Sequence, residues 1–223
     1  MNTTPSSATS TYGPLDFARD TGVPRETLSR LSTYVNLLVE RNEHLNLVAP
    51  STLPDVWRRH VLDSAQLAAL IPPHASTIVD LGSGAGFPGL VLAILLSERP
   101  GLTVHLVEAI QKKCRFLEEV AVETAAVSQV HWTRAEALKG IKADIVTARA
   151  VAPLERLFPL AHPFFGPATT GLFLKGRSLN DELTHATKSW KLDATPIPSR
   201  SDPSGTILRV TGLTPWRRPR KPS

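Results

Sequence analysis

Apolar and polar residues alternate with a helical period over the first third of the chain. Between residues 14 and 45, apolar positions recur every three or four residues and place Leu31 and Val35 on one face. Residues 54–71 repeat this spacing until two consecutive prolines end it. The pattern therefore predicts two amphipathic helices in this part of the chain.

From residue 76 onward, short apolar runs alternate with helical patterns. Strands are predicted at 77–82, 102–109, 129–135, 143–150, 170–176, 191–197 and 205–211, and helices at 89–97, 111–123 and near 179–190. Strands that alternate with helices form parallel βαβ units with right-handed crossovers. We therefore expect a doubly wound α/β sheet of seven strands, preceded by a helical N-terminal extension.

These patterns divide the chain into four parts. We expect a disordered leader at 1–13, a helical segment packed on the core at 14–73, an α/β domain at 74–213 and a basic tail at 214–223. The leader lacks the basic start and apolar core of a secretory signal. No apolar run reaches the roughly 20 residues that cross a bilayer. We expect a protein without a membrane anchor.

Composition adds a compartment and a surface charge. The single cysteine, Cys114, cannot form an intramolecular disulfide, which favours a reducing compartment. We expect a monomeric protein of the cytoplasm. The formal net charge of +5 and the pI of about 9.7 favour polyanionic partners without identifying them. Much of the excess lies in the sequence PWRRPRKPS at 215–223, which is either an RNA-contacting arm or a solvated tail.

The run VDLGSGAGFPG at 79–89 joins the first predicted strand of the sheet to the helix that follows it. Open α/β sheets bind ligands at the carboxyl ends of their strands. Gly82, Gly84 and Gly86 permit positive φ and let a ligand approach the backbone, and the helix N-terminus adds unpaired N–H groups. A tight turn without a ligand is the alternative. The glycines together with an acid at the end of the next strand favour a cofactor site.

The spacing of the turn narrows the choice of cofactor. A dinucleotide fingerprint reads G-x-G-x-x-G, whereas this turn reads G-x-G-x-G. Glu108, at the end of the second strand, suits the ribose of either NAD or S-adenosylmethionine. Asp80 favours S-adenosylmethionine, because a sulfonium and an α-amino group gain from a nearby carboxylate. The turn therefore predicts a methyltransferase, with an NAD-dependent oxidoreductase as the weaker alternative.

Further segments carry a resemblance to a known family. They read NEHLNLV (42–48), RRHVLDSAQL (58–67), LVEAIQKKCRFL (106–117), TRAE (133–136), DIVTARAVAPL (144–154) and FLKG (173–176). With the glycine turn, they resemble the bacterial 16S rRNA guanine-N7 methyltransferases, also called glucose-inhibited division protein B. The resemblance implies a class I S-adenosylmethionine-dependent methyltransferase fold. It also implies methylation of N7 of one guanine in the decoding-region loop of 16S rRNA, with S-adenosylhomocysteine as product.

The resemblance also implies roles for individual residues. In addition to the three glycines of the turn, the cofactor site would include Phe87, Glu108 at the ribose, Ala135 and Glu136 at the adenine, and Arg149. Arg149 is the catalytic candidate, at the methionine end of the cofactor or in the substrate pocket; a surface ion pair is the alternative. Lys175 either meets phosphate or lies unengaged at the surface.

The chemistry of guanine N7 limits what the protein must supply. N7 has an exposed lone pair and needs no base, so positioning and exclusion of water are sufficient. His60 and Asp63 are too few for a metal site, and we expect none; they position the cofactor or pack. We expect Trp132 in the core rather than stacked on a base. Since A-form RNA buries N7 in a deep groove, we expect an unpaired guanine in the small ribosomal subunit or an assembly intermediate. A catalytically silent RNA-associated module that binds the cofactor is the other alternative.

Overall fold

The computed structural model describes residues 11–216, in which seven strands form one mixed sheet. The strands are β1 Thr77–Leu81, β2 Thr103–Glu108, β3 Ser128–Trp132, β4 Ile145–Arg149, β5 Thr170–Lys175, β6 Trp190–Pro198 and β7 Thr206–Pro215. Their order is β3-β2-β1-β4-β5-β7-β6, and β7 is antiparallel to both neighbours. The predicted doubly wound sheet is confirmed. The strand order reverses between β1 and β4, where such folds bind ligands.

Helices cover both faces of this sheet. They are α1 Pro14–Thr21, α2 Arg25–Leu45, α3 Asp63–Ala65, α4 Gly89–Leu95, α5 Gln111–Glu123, α6 Leu154–Ala161 and α7 Leu179–Ala186. One hydrophobic cluster joins α1, α2, α4 and α5 to one face, and a second joins α6 and α7 to the other. In β1, Ile78 belongs to the first cluster and Val79 to the second, so this central strand is buried on both sides.

The N-terminal segment departs from the two long helices that its periodicity predicts. Gly22 adopts a left-handed φ of 67° that ends α1, and Pro24 precedes the first turn of α2. The predicted helix at 54–71 is instead a run of short turns: a 3₁₀-helix at Pro50–Asp55, a π-helix at Trp57–Leu62, α3, and a 3₁₀-helix at Gln66–Leu70. These turns pack against the same cluster as α4.

The division of the chain into four parts remains a prediction, and the structure describes only part of the expected leader and tail. Residues 1–10 of the expected leader and 217–223 of the expected tail lie outside the described residues. Of the residues that the structure does describe, Tyr12 is buried, and the guanidinium carbon of Arg58 lies 4.6 Å from the centroid of its ring. Thr214 and Pro215 belong to β7. No helix within residues 11–216 is long and apolar enough to span a membrane.

Candidate active site

The glycine turn between β1 and α4 has three positions with positive φ: 63° at Gly82, 57° at Gly84 and 101° at Gly86. A Cβ at Gly82 would lie 2.9 Å from Val151, and a Cβ at Gly86 would lie 2.5 Å from Leu90. At Gly84, the one protein atom within 4 Å of such a Cβ is a backbone oxygen at 3.7 Å, among the described residues. Gly82 and Gly86 are thus required by packing, whereas Gly84 leaves its backbone approachable by a ligand.

Glu108 ends β2 directly beside this turn. Its Oε2 accepts a hydrogen bond from the backbone N–H of Gly84 at 2.9 Å, and its Oε1 accepts one from the N–H of Ile110 at 2.8 Å. Since each carboxylate oxygen has a second lone pair, the acid can still accept from a ribose diol. The predicted ribose ligand and the predicted cofactor turn therefore form one hydrogen-bonded unit.

Asp80 lies in the core, where it has a role that the sequence did not predict. Its Oδ1 accepts from the hydroxyl of Thr147 at 2.7 Å, and its Oδ2 accepts from the N–H of Gly89 at 3.2 Å. Complete burial raises the pKa of Asp80 to about 6, and the hydrogen bond from Thr147 opposes that shift. Asp80 therefore joins β1 to β4 and to the start of α4. This placement does not support the expected attraction of a sulfonium.

Phe87 contacts two side chains that the sequence also singled out. The ring of His60 stacks on it at 5.0 Å between centroids, and the guanidinium of Arg149 lies 4.9 Å from its centroid. A cation held over an aromatic face is attracted by the ring quadrupole. The aromatic ring thus links the glycine turn to the end of β4.

Arg149 is half-buried and forms an ion pair with Asp63, in which both side chains are less exposed than in an ordinary surface ion pair. Its Nη1 donates to the backbone oxygen of Arg59 at 3.0 Å and to Oδ2 of Asp63 at 3.4 Å. Burial lowers the pKa of Arg149, and the carboxylate of Asp63 opposes the shift. Ala150, directly after it, has a φ of 55°, a conformation that non-glycine residues adopt mainly at constrained sites.

His60 is fixed in one neutral tautomer. The hydroxyl of Thr52 donates its hydrogen to the backbone oxygen of Ala49 at 2.7 Å, so it accepts from Nε2 of His60 at 2.8 Å. Nδ1 of His60 then carries a lone pair, and it has no partner within residues 11–216. Burial, together with the charges of Arg149 and Arg59, lowers the pKa of His60 to about 3. His60 therefore cannot serve as a general acid near neutral pH.

A cavity of about 680 Å³ opens beside Arg149, at the carboxyl ends of β4 and β5. The turns at 55–63 and the loop between β6 and β7 form its other walls. Lys175 also lines it, but its ammonium lies 2.6 Å from Glu182 and donates to the backbone oxygen of Ala152 at 3.1 Å. The predicted phosphate contact of Lys175 thus competes with an existing ion pair.

The remaining predicted residues follow β3 at the same edge of the sheet. Ala135 is half-buried and Glu136 is exposed. Trp132, at the end of β3, is 61% exposed and donates its indole N–H to the backbone oxygen of Ala109 at 3.2 Å. The predicted core position of Trp132 is therefore wrong. In the part of the chain that the structure describes, no three acidic, histidine or cysteine side chains are placed to hold a metal.

Comparisons with known proteins identify the family that shares this sequence. A family model described as rRNA small subunit methyltransferase G matches residues 27–201. The chain is 56% identical over 199 residues to the ribosomal RNA small subunit methyltransferase G of Parvibaculum lavamentivorans, covering 88% of each. It is 52% identical over 200 residues to that of Rhodospirillum centenum, covering 90% of this chain and 91% of the relative.

Solved structures share the fold at low sequence identity. An O-methyltransferase from Bacillus cereus, in complex with SAH, superposes with a TM-score of 0.59. The two chains are 15% identical, and the match covers 87% of this chain and 95% of the other. A likeness at this identity concerns the architecture of the sheet and its helices.

Proposed function

Because the chain belongs to the rRNA small subunit methyltransferase G family, we propose that it methylates N7 of one guanine in the decoding-region loop of 16S rRNA. It is an S-adenosylmethionine-dependent rRNA methyltransferase, and S-adenosylhomocysteine is the product of its cofactor. The observation that carries the proposal is the cavity beside Arg149. The guanidinium of Arg149 lies 4.9 Å from the ring of Phe87, which belongs to the glycine turn.

The residues at the glycine turn fit S-adenosylmethionine. Gly84 leaves its backbone approachable, and Glu108 keeps lone pairs for ribose hydroxyls. The proposed cofactor residues are Gly82, Gly84, Gly86, Phe87, Glu108, Ala135, Glu136 and Arg149. When bound, the cofactor supplies a methyl group on a sulfonium, which makes that methyl electrophilic. Gly82 and Gly86 shape the turn, whereas Gly84 and Glu108 offer the direct contacts.

We assign the target base to the cavity beside Arg149. Its volume of about 680 Å³ falls within the range of roughly 300–1,000 Å³ typical of small-molecule sites. The reaction needs no general base to remove a proton, since N7 attacks through its own lone pair. The neutral, buried His60 agrees with this requirement. The chain therefore acts by holding N7 in line with the methyl group and by keeping water away.

The same chemistry defines the form of the RNA. N7 of a paired guanine lies in the deep, narrow groove of A-form RNA, which side chains cannot enter. The proposed substrate is therefore an unpaired guanine displayed by the small ribosomal subunit or an assembly intermediate. The protein acts on it as a monomer in the cytoplasm, where ribosomal subunits are assembled.

Two measurements test this proposal against its alternatives. In isothermal titration, S-adenosylhomocysteine binds and NADH does not; tight binding of NADH would favour an oxidoreductase. In a transfer assay, unmodified small ribosomal subunits take up label from S-[methyl-³H]adenosylmethionine. Binding of S-adenosylhomocysteine without labelling of the RNA would favour the silent module.

A further inference from the structure

The cavity beside Arg149 is lined by more carboxylates than the positioning of Arg149 requires. These carboxylates belong to Asp55, Asp63, Glu182 and Asp202. Most of them are already bound by protein donors. The hydroxyl of Ser201 donates to Asp63 at 2.6 Å, the ammonium of Lys175 lies 2.6 Å from Glu182, and the N–H of Ser204 donates to Asp202 at 2.8 Å.

Asp55 differs from these three acids. It is half-buried at the end of the 3₁₀-helix Pro50–Asp55, and it lines the cavity. Within residues 11–216, no side chain or backbone N–H donates to its carboxylate, and no cation pairs with it. A half-buried carboxylate without protein donors, on a residue that lines a cavity, can accept hydrogen bonds from a ligand there at little cost. Both oxygens of Asp55 have this capacity.

Cationic side chains lie on the same cavity. Arg59 follows Asp55 by four residues, Arg177 follows β5, and both are exposed. The backbone N–H of Ser204 lowers the pKa of Asp202, and the charges of Arg177 and Arg59 lower it further, which places both guanidiniums near this acid. Neither arginine forms an ion pair in the part of the chain that the structure describes. Such guanidiniums suit the phosphates that flank a base.

We propose that Asp55 recognises the Watson–Crick edge of the target guanine by accepting hydrogen bonds from N1–H and the 2-amino group. This inference rests on the proposed function and names the residue that selects its base. Among the four RNA bases, guanine is the one with two adjacent N–H donors on that edge. N7 lies on the opposite side of the purine, so an edge held at Asp55 leaves N7 free to face Arg149, which lines the same cavity.

The same contact assists the reaction. As N7 forms its bond to the methyl carbon, the electron pair of the breaking carbon–sulfur bond returns to sulfur, which becomes a neutral thioether. No proton leaves, so the guanine ring acquires a positive charge. That charge makes N1–H and the amino group stronger donors, and the carboxylate of Asp55 then binds them more tightly in the transition state than in the ground state. Asp55 therefore affects kcat as well as KM.

Two substitutions at this position separate a carboxylate that binds guanine from one that packs. Asp55→Asn keeps the shape but turns one acceptor into a donor that faces an N–H group. We expect kcat/KM on unmodified small ribosomal subunits to fall about 100-fold, with a lower kcat. Asp55→Glu keeps the charge and retains more activity than Asp55→Asn. Asp193→Asn, at an exposed position of β6, makes the same chemical change away from the cavity and serves as the matched control.

The order of activities decides the outcome. The assignment is supported if both variants bind S-adenosylhomocysteine within twofold of wild type and Asp55→Glu has a higher kcat/KM than Asp55→Asn. A kcat/KM of Asp55→Asn that equals or exceeds that of Asp55→Glu overturns the assignment, because a packing role favours the isosteric amide. Loss of S-adenosylhomocysteine binding by both variants also overturns it, because Asp55 would then support the fold. A wild-type protein that labels no rRNA contradicts the proposed function instead, so the two failures are distinguishable.

Discussion

The backbone N–H of Gly84 donates a 2.9 Å hydrogen bond to Oε2 of Glu108, across the 24 residues that separate them in the chain. The bond fixes Gly84, in the turn after β1, to the acid that ends β2. The N–H of Ile110 holds the other oxygen at 2.8 Å. Because both oxygens are fixed, the acid proposed to bind the ribose is oriented before the cofactor arrives, which lowers the ordering cost of binding.

Glu108→Gln tests this coupling. The amide presents an NH₂ group to one of the two backbone N–H donors and leaves it without an acceptor. We expect the affinity for S-adenosylhomocysteine to fall by about 30-fold and the free energy of unfolding to fall by about 1 kcal/mol. Isothermal titration and urea denaturation measure the two effects. An affinity within twofold of wild type would contradict the role of Glu108.

Gly84→Arg tests whether the turn is the cofactor site. The side chain would occupy the space from which a ligand approaches, while the left-handed backbone costs about 1–2 kcal/mol. Gly101→Arg is the matched control, since Gly101 has a φ of 74° and a Cβ added there would have no atom of the described residues within 4 Å. We expect similar losses of stability in both variants, and at least 100-fold weaker S-adenosylhomocysteine binding for Gly84→Arg only. Equal affinities would place the cofactor elsewhere.

Arg149→Lys tests the positioning role of the guanidinium. Lysine keeps the charge but loses the planar contact with Phe87 and the fork of donors. We expect kcat/KM for rRNA methylation to fall about 100-fold. Stability changes little, because Asp63 retains the hydroxyl of Ser201 as a donor. Arg156→Lys, on an exposed position of α6, controls for the substitution itself. Wild-type kinetics in Arg149→Lys would argue against any specific contact.

His60 gives the protein a pH-dependent stability. Because its pKa is lowered from 6.5 to about 3, the unfolded chain binds one more proton than the folded chain between these values. The neutral ring therefore contributes to the free energy of unfolding above pH 6.5. This contribution is lost as the pH falls, by about 2 kcal/mol between pH 7 and pH 5. We expect urea denaturation of His60→Gln to lack this loss, whereas His44→Gln, at an exposed position, retains it. Parallel pH profiles for wild type and His60→Gln would contradict the buried neutral ring.

The arginines on the cavity predict a salt dependence. If Arg59 and Arg177 each contact one phosphate, the double alanine variant reduces the slope of log K against log salt by about 1.4 for single-stranded RNA. Filter binding of unmodified small ribosomal subunits at several salt concentrations measures the slope. Removal of residues 217–223, which include four basic residues, measures the share of the tail in the same assay. An unchanged slope in the double variant would show that these arginines do not contact phosphate.

Local signals explain what the sequence could predict. The glycine turn lies within ten residues of β1, and Glu108 ends the next strand, so strand, turn and acid could be recognised in order. The role of Asp80 could not be recognised from the sequence, because its partner Thr147 lies 67 residues away and only strand pairing brings the two residues together. Helix α6 was missed because Pro159 lies inside it and interrupts the pattern.

The cavity depends on long-range packing as well. It joins the turns at 55–63, the ends of β4 and β5, and the loop at 201–206, and no local pattern connects these segments. Residue types do not reveal which carboxylates are already paired, so Asp55 could not be distinguished from Asp63 or Glu182 before their partners were known. The fold and the position of the glycine turn beside Glu108 were therefore predictable from the sequence, whereas the lining of the cavity was not.

The most direct test of the account is the position and identity of the modified base. Unmodified small ribosomal subunits are incubated with the protein and S-adenosylmethionine, and nuclease fragments of the 16S rRNA are analysed by mass spectrometry. The account predicts one 7-methylguanosine, in a single-stranded segment of the decoding-region loop, and its loss in Gly84→Arg. A methyl group on another atom or another base, or no methylation of the RNA, would contradict it.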